Sequence, residues 1–282
     1  MDATLNPTVI DSNLAHPPLG LGLWGQRAGL ETETAVASAL EAGYRLFDSA
    51  PVYGNEKSLG LALAKSGLKR AGYFVTGKIW LDDEGQNGPR LATLKSLANL
   101  GLSYFDLLLI HWPSPLSHLT FLALNDLKAQ KLTRAIGVAN FSWPQVLALQ
   151  ASTGLWPEVW QLEFHPFLVR SEILKVAAQK GIVLEAACPL ARGRLKKNQI
   201  LGRLAHKYQK TWAQVLLRWH LQKGLCPLPK SVRPARILEN AALFDFALEP
   251  KDLAALDRLN QNHSVLKPPF VFDGAGYVIS HA

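Results

Sequence analysis

The stretch Tyr44-Arg45-Leu46-Phe47-Asp48-Ser49-Ala50-Pro51-Val52-Tyr53 decides the fold. Its short apolar run ends on an acid, and a phenol follows within one turn of chain. Two later runs repeat the arrangement: Tyr73-Phe74-Val75-Thr76 precedes Lys78, and Phe105-Asp106-Leu107-Leu108-Leu109-Ile110 precedes His111. Runs of this length bounded by polar residues read as strands buried on both faces. As consecutive strands of a parallel barrel they would share one mouth. They would deliver there an acid, a phenol, an amine and an imidazole, a set suited to proton transfer.

The alternation continues outward from these runs. Predicted strands cover residues 19–23, 45–48, 73–76, 106–110, 134–138, 159–163, 182–187 and 225–228. Predicted helices follow at 33–42, 56–66, 89–100, 120–131, 143–152, 171–180, 199–223 (broken at Lys210-Thr211) and 234–243. Gly101, Gly181 and Gly224 stand where glycine ends a helix. This pattern predicts an α/β fold, a closed (β/α)8 TIM barrel, as a single domain over residues 1–282. An additional C-terminal helix over 251–259 and a loop over 267–277, laid across the barrel, complete the chain. The rival is an open doubly wound sheet, which needs a Gly-x-Gly-x-x-Gly turn opening a helix. Gly20-Leu21-Gly22-Leu23-Trp24-Gly25 has that spacing, but leucines fill it and no helix opens at its end. The rival is set aside.

Of 282 residues, 48% are hydrophobic and 18% charged, as a globular chain with a large core requires. No apolar stretch has the length of a membrane span. Residues 1–16 lack the basic-then-apolar order of a secretory signal. Cys188 and Cys226, the only two cysteines, lie in apolar runs. They are expected to be buried small hydrophobes in a reducing cytoplasm, not a disulfide framework. No clustered His/Asp set occupies the predicted strand ends, which argues against a metal-dependent hydrolase. Net charge is +8, with lysine and arginine spread along the chain. The densest basic runs, 192–197 and 230–236, each follow a late predicted strand, where such a barrel places phosphate-binding loops. An anionic small molecule is expected rather than a nucleic acid.

The segment Phe47-Asp48-Ser49-Ala50-Pro51-Val52-Tyr53-Gly54-Asn55-Glu56 closely resembles the signature of the aldo-keto reductases, NADPH-dependent carbonyl reductases on a (β/α)8 barrel. Thr76-Gly77-Lys78-Ile79-Trp80, Leu109-Ile110-His111-Trp112-Pro113, Gly137-Val138-Ala139-Asn140-Phe141, Gln161-Leu162-Glu163-Phe164-His165-Pro166 and Pro229-Lys230-Ser231 resemble further family blocks in the family's order. The run Ile110-His111-Trp112-Pro113-Ser114-Pro115 is most similar to bacterial 2,5-diketo-D-gluconate reductases. The resemblance implies Tyr53 as general acid, Lys78 as its tuning cation, Asp48 as the carboxylate holding Lys78, and His111 as the group directing the substrate oxygen. The chemistry is consistent. Hydride delivery to a carbonyl carbon leaves charge on oxygen, which needs donors and a proton. A phenol is a weak acid, with a pKa of about 10, and a neighbouring ammonium is expected to lower it. Singly, Asp48 could cap a helix, Tyr53 sit on a rim, Lys78 end a solvated strand and His111 fill a core. The four types together at successive strand ends favour a site.

By the same resemblance, Asn140 and Gln161 would hold the nicotinamide carboxamide. Lys230, Ser231 and Arg236 would grip the 2′-phosphate, with Glu239 and Asn240 near the adenine. Leu190 and Arg192 belong to the stretch that would meet the pyrophosphate. The basic cluster favours NADPH over NADH. The chain departs from the family at Ala139 (usually serine), Ala187 (a tyrosine that stacks on nicotinamide) and Cys188 (serine), so weaker NADPH binding is expected. Trp24, Trp80 and Trp112, beside Tyr53, are expected to line the substrate mouth, joined from the tail by Phe270 and Phe272. The implied substrate is a small aldehyde, ketone, keto sugar or dicarbonyl of the 2,5-diketo-D-gluconate or methylglyoxal class. The expected protein is a cytoplasmic monomer with no membrane or nucleic-acid partner. A non-catalytic NADPH-binding sensor or subunit is the alternative that Ala139 and Ala187 leave open.

Overall fold

The computed structural model describes residues 8–11, 14–268, 270–272 and 277–279. Strands β1 (Thr8–Asp11) and β2 (Leu14–His16) pair antiparallel ahead of the barrel. Eight parallel strands follow, each beside the next in chain order: β3 (Gly20–Gly22), β4 (Leu46–Asp48), β5 (Phe74–Ile79), β6 (Phe105–Ile110), β7 (Thr133–Ala139), β8 (Val159–Glu163), β9 (Val183–Ala187) and β10 (Leu225–Pro227). The two edges meet where the Gly22 N–H donates to the Pro229 carbonyl at 3.1 Å, giving a nearly closed (β/α)8 barrel. A Cβ at Gly20 would stand 2.3 Å from Leu46 Cδ2 and 2.6 Å from Leu228 Cδ2. The Gly-Leu-Gly run is therefore the thin strand on which the barrel shuts, not a dinucleotide turn.

Helices α1 (Leu30–Glu41), α2 (Glu56–Lys65), α3 (Gly88–Leu100), α4 (Ser117–Ala129), α5 (Trp143–Thr153), α6 (Ser171–Lys180), α7 (Gln199–Tyr208) and α8 (Trp212–Gln222) link the barrel strands, and α9 (Pro234–Ala241) and α10 (Pro250–Asp257) follow β10. Capping boxes at Ser142/Gln145 and Thr211/Gln214 start α5 and α8. The predicted break at Lys210-Thr211 falls between α7 and α8, where Gln209 turns left-handed at φ 52°.

Alternation along the strands sorts the barrel interior into two storeys. Leu46, Phe74, Leu107, Val159 and Val183 fill the lower one, with Leu14 packed against them from the N-terminal pair. Further along the same strands the buried residues turn polar: Asp48, Lys78, Gln161 and Glu185. Register sets the last two side by side, since Gln161 pairs with Glu185 between β8 and β9.

Three features differ from the sequence reading. β5 runs to Ile79, beyond the predicted end at Thr76, so Lys78 lies within the strand. The tail is not a plain loop, because β11 (Phe270–Phe272) pairs antiparallel with β12 (Tyr277–Ile279). The β1–β2 pair was not anticipated, since strands this short carry too little periodicity to read. No described helix is long and apolar enough to cross a membrane.

Candidate active site

Asp48 is the last residue of β4, and the chain leaves it into a 3-10 turn, Pro51–Tyr53, closed by Gly54 at φ 70°. The proline fixes the start of that turn and the glycine takes the left-handed backbone at its end. Tyr53 is thereby folded back over the barrel mouth. Its hydroxyl stands 3.4 Å from Lys78 Nζ and 3.4 Å from His111 Nε2. Lys78 Nζ donates to Asp48 Oδ1 at 2.5 Å and to the Ser49 carbonyl at 3.2 Å. The Trp80 ring meets His111 edge-on at 5.1 Å, and Trp112 stacks beside the imidazole at 6.5 Å. Asn140, left-handed at φ 64° just past β7, donates its amide to the His111 carbonyl at 2.9 Å.

Burial governs the site's electrostatics. It pushes the Tyr53 phenol up to about 12, against the pull of the Lys78 charge. The net lowering expected from sequence is absent because desolvation of the phenolate outweighs one ammonium. Tyr53 thus holds its proton at neutral pH. Burial would lower Lys78, but Asp48 and Tyr53 more than compensate and hold it above its ordinary value as an ammonium. Burial likewise raises Asp48 while Lys78 pulls it down. The geometry decides its state: Oδ1 accepts two N–H donors, from Lys78 and Gln161, as an ionised carboxylate does. Burial and the Lys78 charge hold His111 well below its usual value, so its ring is neutral.

The sequence-predicted cofactor residues fall in three places. Gln161 Nε2 donates to Asp48 Oδ1 at 2.8 Å and to Glu185 Oε2 at 2.7 Å, and the amide oxygen makes no hydrogen bond among the described residues. Lys230 and Arg236 are exposed beyond β10, and neither makes a side-chain hydrogen bond or ion pair among the described residues. Ser231 is buried and accepts from the Arg233 N–H at 3.1 Å. Asn240 is buried on α9, whereas Glu239 turns away to accept from the Thr211 hydroxyl at 2.7 Å. Between these groups, the chain after β9 is left-handed at Cys188, Ala191 and Arg192. Leu190 is half-buried there, and the Arg192 guanidinium lies 4.8 Å over the exposed Trp24 ring.

Ala139 is buried in the barrel interior and Ala187 is half-buried at the end of β9. Cys226 is buried as expected, but Cys188 is only half-buried, and burial pushes its thiol above its ordinary value. The side chains of Phe270 and Phe272 lie outside the described residues. Among the described residues no group of three or more His, Cys, Asp and Glu could hold a metal ion.

Sequence reasoning missed two members of the interior, Glu185 and His16. Glu185 left a trace, since an acid in the middle of the apolar run Val183-Leu184-Glu185-Ala186-Ala187 must find a partner when both strand faces are buried. His16 left none.

The chain is 43% identical over 261 residues to methylglyoxal reductase DkgA of Yersinia pestis, covering 91% of this chain and 93% of the relative. It is 39% identical over 267 residues to glyoxal reductase of Bacillus subtilis, covering 94% and 97%. An aldo-keto reductase of Bombyx mori, solved in complex with NADP, superposes with a TM-score of 0.87 at 32% identity over 94% of this chain and 95% of that one. Residues 18–261 match the Aldo/keto reductase family. With that match spanning all eight barrel strands, the chain belongs to the aldo/keto reductase family and is an oxidoreductase acting on carbonyl groups.

Proposed function

We propose that this protein reduces small aldehydes, ketones, keto sugars or dicarbonyls, of the methylglyoxal and 2,5-diketo-D-gluconate class, to alcohols with NADPH, Tyr53 acting as general acid. The carrying observation is the convergence of the Tyr53 hydroxyl on Lys78 Nζ and His111 Nε2, each at 3.4 Å. Relatives named as glyoxal and methylglyoxal reductases support the dicarbonyl class, and a structural neighbour in complex with NADP supports the cofactor. The reading extends to one domain over residues 1–282, working as a cytoplasmic monomer.

The residues fit a nicotinamide dinucleotide phosphate. The Gln161 oxygen, which accepts no hydrogen bond among the described residues, and the Asn140 side chain suit a carboxamide, and the exposed Lys230 and Arg236, with Ser231, suit a 2′-phosphate. Leu190, Arg192 and Asn240 lie along the path between and around these ends, while Glu239 is drawn off by Thr211. When bound, the reduced cofactor supplies the hydride. The chain's own groups handle the proton. Tyr53 and neutral His111 donate to the substrate oxygen as charge grows on it. Tyr53 gives up its proton, Lys78 stabilises the tyrosinate left behind, and Asp48 keeps Lys78 charged. Trp24, Trp80 and Trp112 form the aromatic rim that admits a small carbonyl and excludes water.

The test is NADPH consumption with methylglyoxal. Tyr53→Phe should lower kcat by about 10³-fold, since general acid catalysis contributes roughly 10²–10⁴, while leaving NADPH affinity and circular dichroism unchanged. A Tyr53→Phe enzyme with wild-type turnover would refute the mechanism. Wild-type protein that binds NADPH but reduces no carbonyl would instead favour the sensor reading.

A further inference from the structure

Behind the catalytic groups, a continuous line of buried side chains descends the barrel axis. His16 Nε2 lies 2.8 Å from Glu185 Oε1, and Glu185 Oε2 accepts from Gln161 Nε2 at 2.7 Å. The same amide nitrogen donates to Asp48 Oδ1 at 2.8 Å, and Asp48 holds Lys78. His16 and Glu185 are 1% and 0% exposed. His16 comes from the N-terminal strand pair, where its ring packs edge-on against Phe74 at 5.1 Å. The line therefore joins the floor of the barrel to the mouth.

The chemistry of the amide fixes what this line does. A carboxamide has one donor end and one acceptor end. Two carboxylates facing it, Asp48 and Glu185, both demand the donor end, so both N–H bonds of Gln161 point inward. Its oxygen accepts no hydrogen bond among the described residues. With Asp48 alone, Gln161 could keep one N–H there and turn the rest of the amide about. With Glu185 as well, it has one orientation. We propose that Glu185, held by His16, is a positioning residue that presents the Gln161 oxygen to the cofactor carboxamide and places a second negative charge behind Lys78. This rests on the reading of Gln161 as a carboxamide contact.

The charge has a direction. Glu185 acts on Lys78 to raise it and on Asp48 to raise it. The other titratable groups facing this interior are Tyr53 from the turn after β4, His111 after β6, Cys188 after β9, Cys226 on β10 and His16 on β2. Removing the Glu185 charge lowers Lys78, so the loss of activity at high pH should begin earlier. Glu185→Gln keeps hydrogen-bonding capacity and removes charge. Glu185→Leu removes both.

The experiment titrates each protein with NADPH and with the corresponding dinucleotide fragment lacking nicotinamide (2′-phospho-adenosine diphosphoribose), and records the pH profile of kcat. Glu185→Leu is expected to weaken NADPH about tenfold while the fragment's affinity stays within twofold. A merely structural role would weaken both alike. Glu185→Gln is expected to hold NADPH affinity within threefold and to move the alkaline limb of kcat to lower pH. His16→Leu removes the side chain that holds Glu185 Oε1 among the described residues, and so frees Glu185 to turn from Gln161. It should weaken NADPH more than the fragment, as Glu185→Leu does, and it carries the test if the Glu185 variants do not fold. Equal weakening of both ligands, or an alkaline limb unmoved in Glu185→Gln, overturns the proposal. If wild-type protein itself does not distinguish NADPH from the fragment, the reading of Gln161 fails first.

Discussion

Replacing Lys78 with methionine isolates the central electrostatic claim. The Lys78 side chain is wholly buried, with its ammonium 2.5 Å from Asp48 Oδ1 and 3.4 Å from the Tyr53 hydroxyl. Unit charges 3.4 Å apart interact by about 5 kcal/mol at an effective dielectric of about 20. With the proton about half transferred in the transition state, roughly half of that reaches the barrier, a loss of about 10²-fold in kcat. Misplacement of Tyr53 could extend this toward 10⁴-fold, the upper range for general acid catalysis. The same substitution leaves Asp48 buried with Gln161 as its one remaining side-chain donor among the described residues, which costs about 3–5 kcal/mol of stability. Lys78→Met/Asp48→Asn removes both charges and should regain most of that stability without regaining rate. Turnover with methylglyoxal and thermal melting, measured on wild type, both single variants and the double, close the cycle. Lys78→Met retaining kcat within tenfold of wild type would refute the reasoning. So would a double variant that restored turnover along with stability.

Other expectations follow from the same structure. Burial pushes the Glu84 carboxyl, which accepts from the Ser114 hydroxyl, up to about 7. Its contribution to stability is therefore fully present below pH 4.5 and lost as pH rises through 7. Glu84→Gln should melt about as wild type does at pH 5 and be more stable at pH 8 by about 2–3 kcal/mol, read from melting temperature against pH. Ala187→Tyr places a ring at the half-buried end of β9 and should tighten NADPH by roughly 1–3 kcal/mol, or about five- to 150-fold by fluorescence titration. Arg236→Ala should weaken NADPH by about 1.5–3 kcal/mol and leave NADH unchanged, because only the former carries the phosphate a guanidinium would meet.

Much of the molecule was legible from local pattern. Apolar runs separated by amphipathic ones located every barrel strand, and β8 and α6 fall on the predicted residues. Lys78 was assigned to a strand end and lies within β5, because an amine in an otherwise apolar run mimics a boundary. Glu239 was placed near the adenine with Asn240, and in the structure its carboxylate accepts from the Thr211 hydroxyl, a contact that the order of residues does not show. The short β1–β2 and β11–β12 pairs escaped, since strands of three or four residues owe their form to pairing and not to composition.

The sequence by itself determined the barrel and the four groups at its mouth. Periodicity of two along strands and near four along helices is written in neighbouring residues, and strand ends follow from it. Tertiary structure alone decided which way the acidity of Tyr53 shifts, which depends on how completely packing removes water around it. It alone decided that Gln161 turns its nitrogen inward, because Asp48 and Glu185 come from strands far apart in the chain and meet only when the barrel is nearly closed. Charge and hydrogen bonding act through space, and the order of residues along a chain does not record those distances.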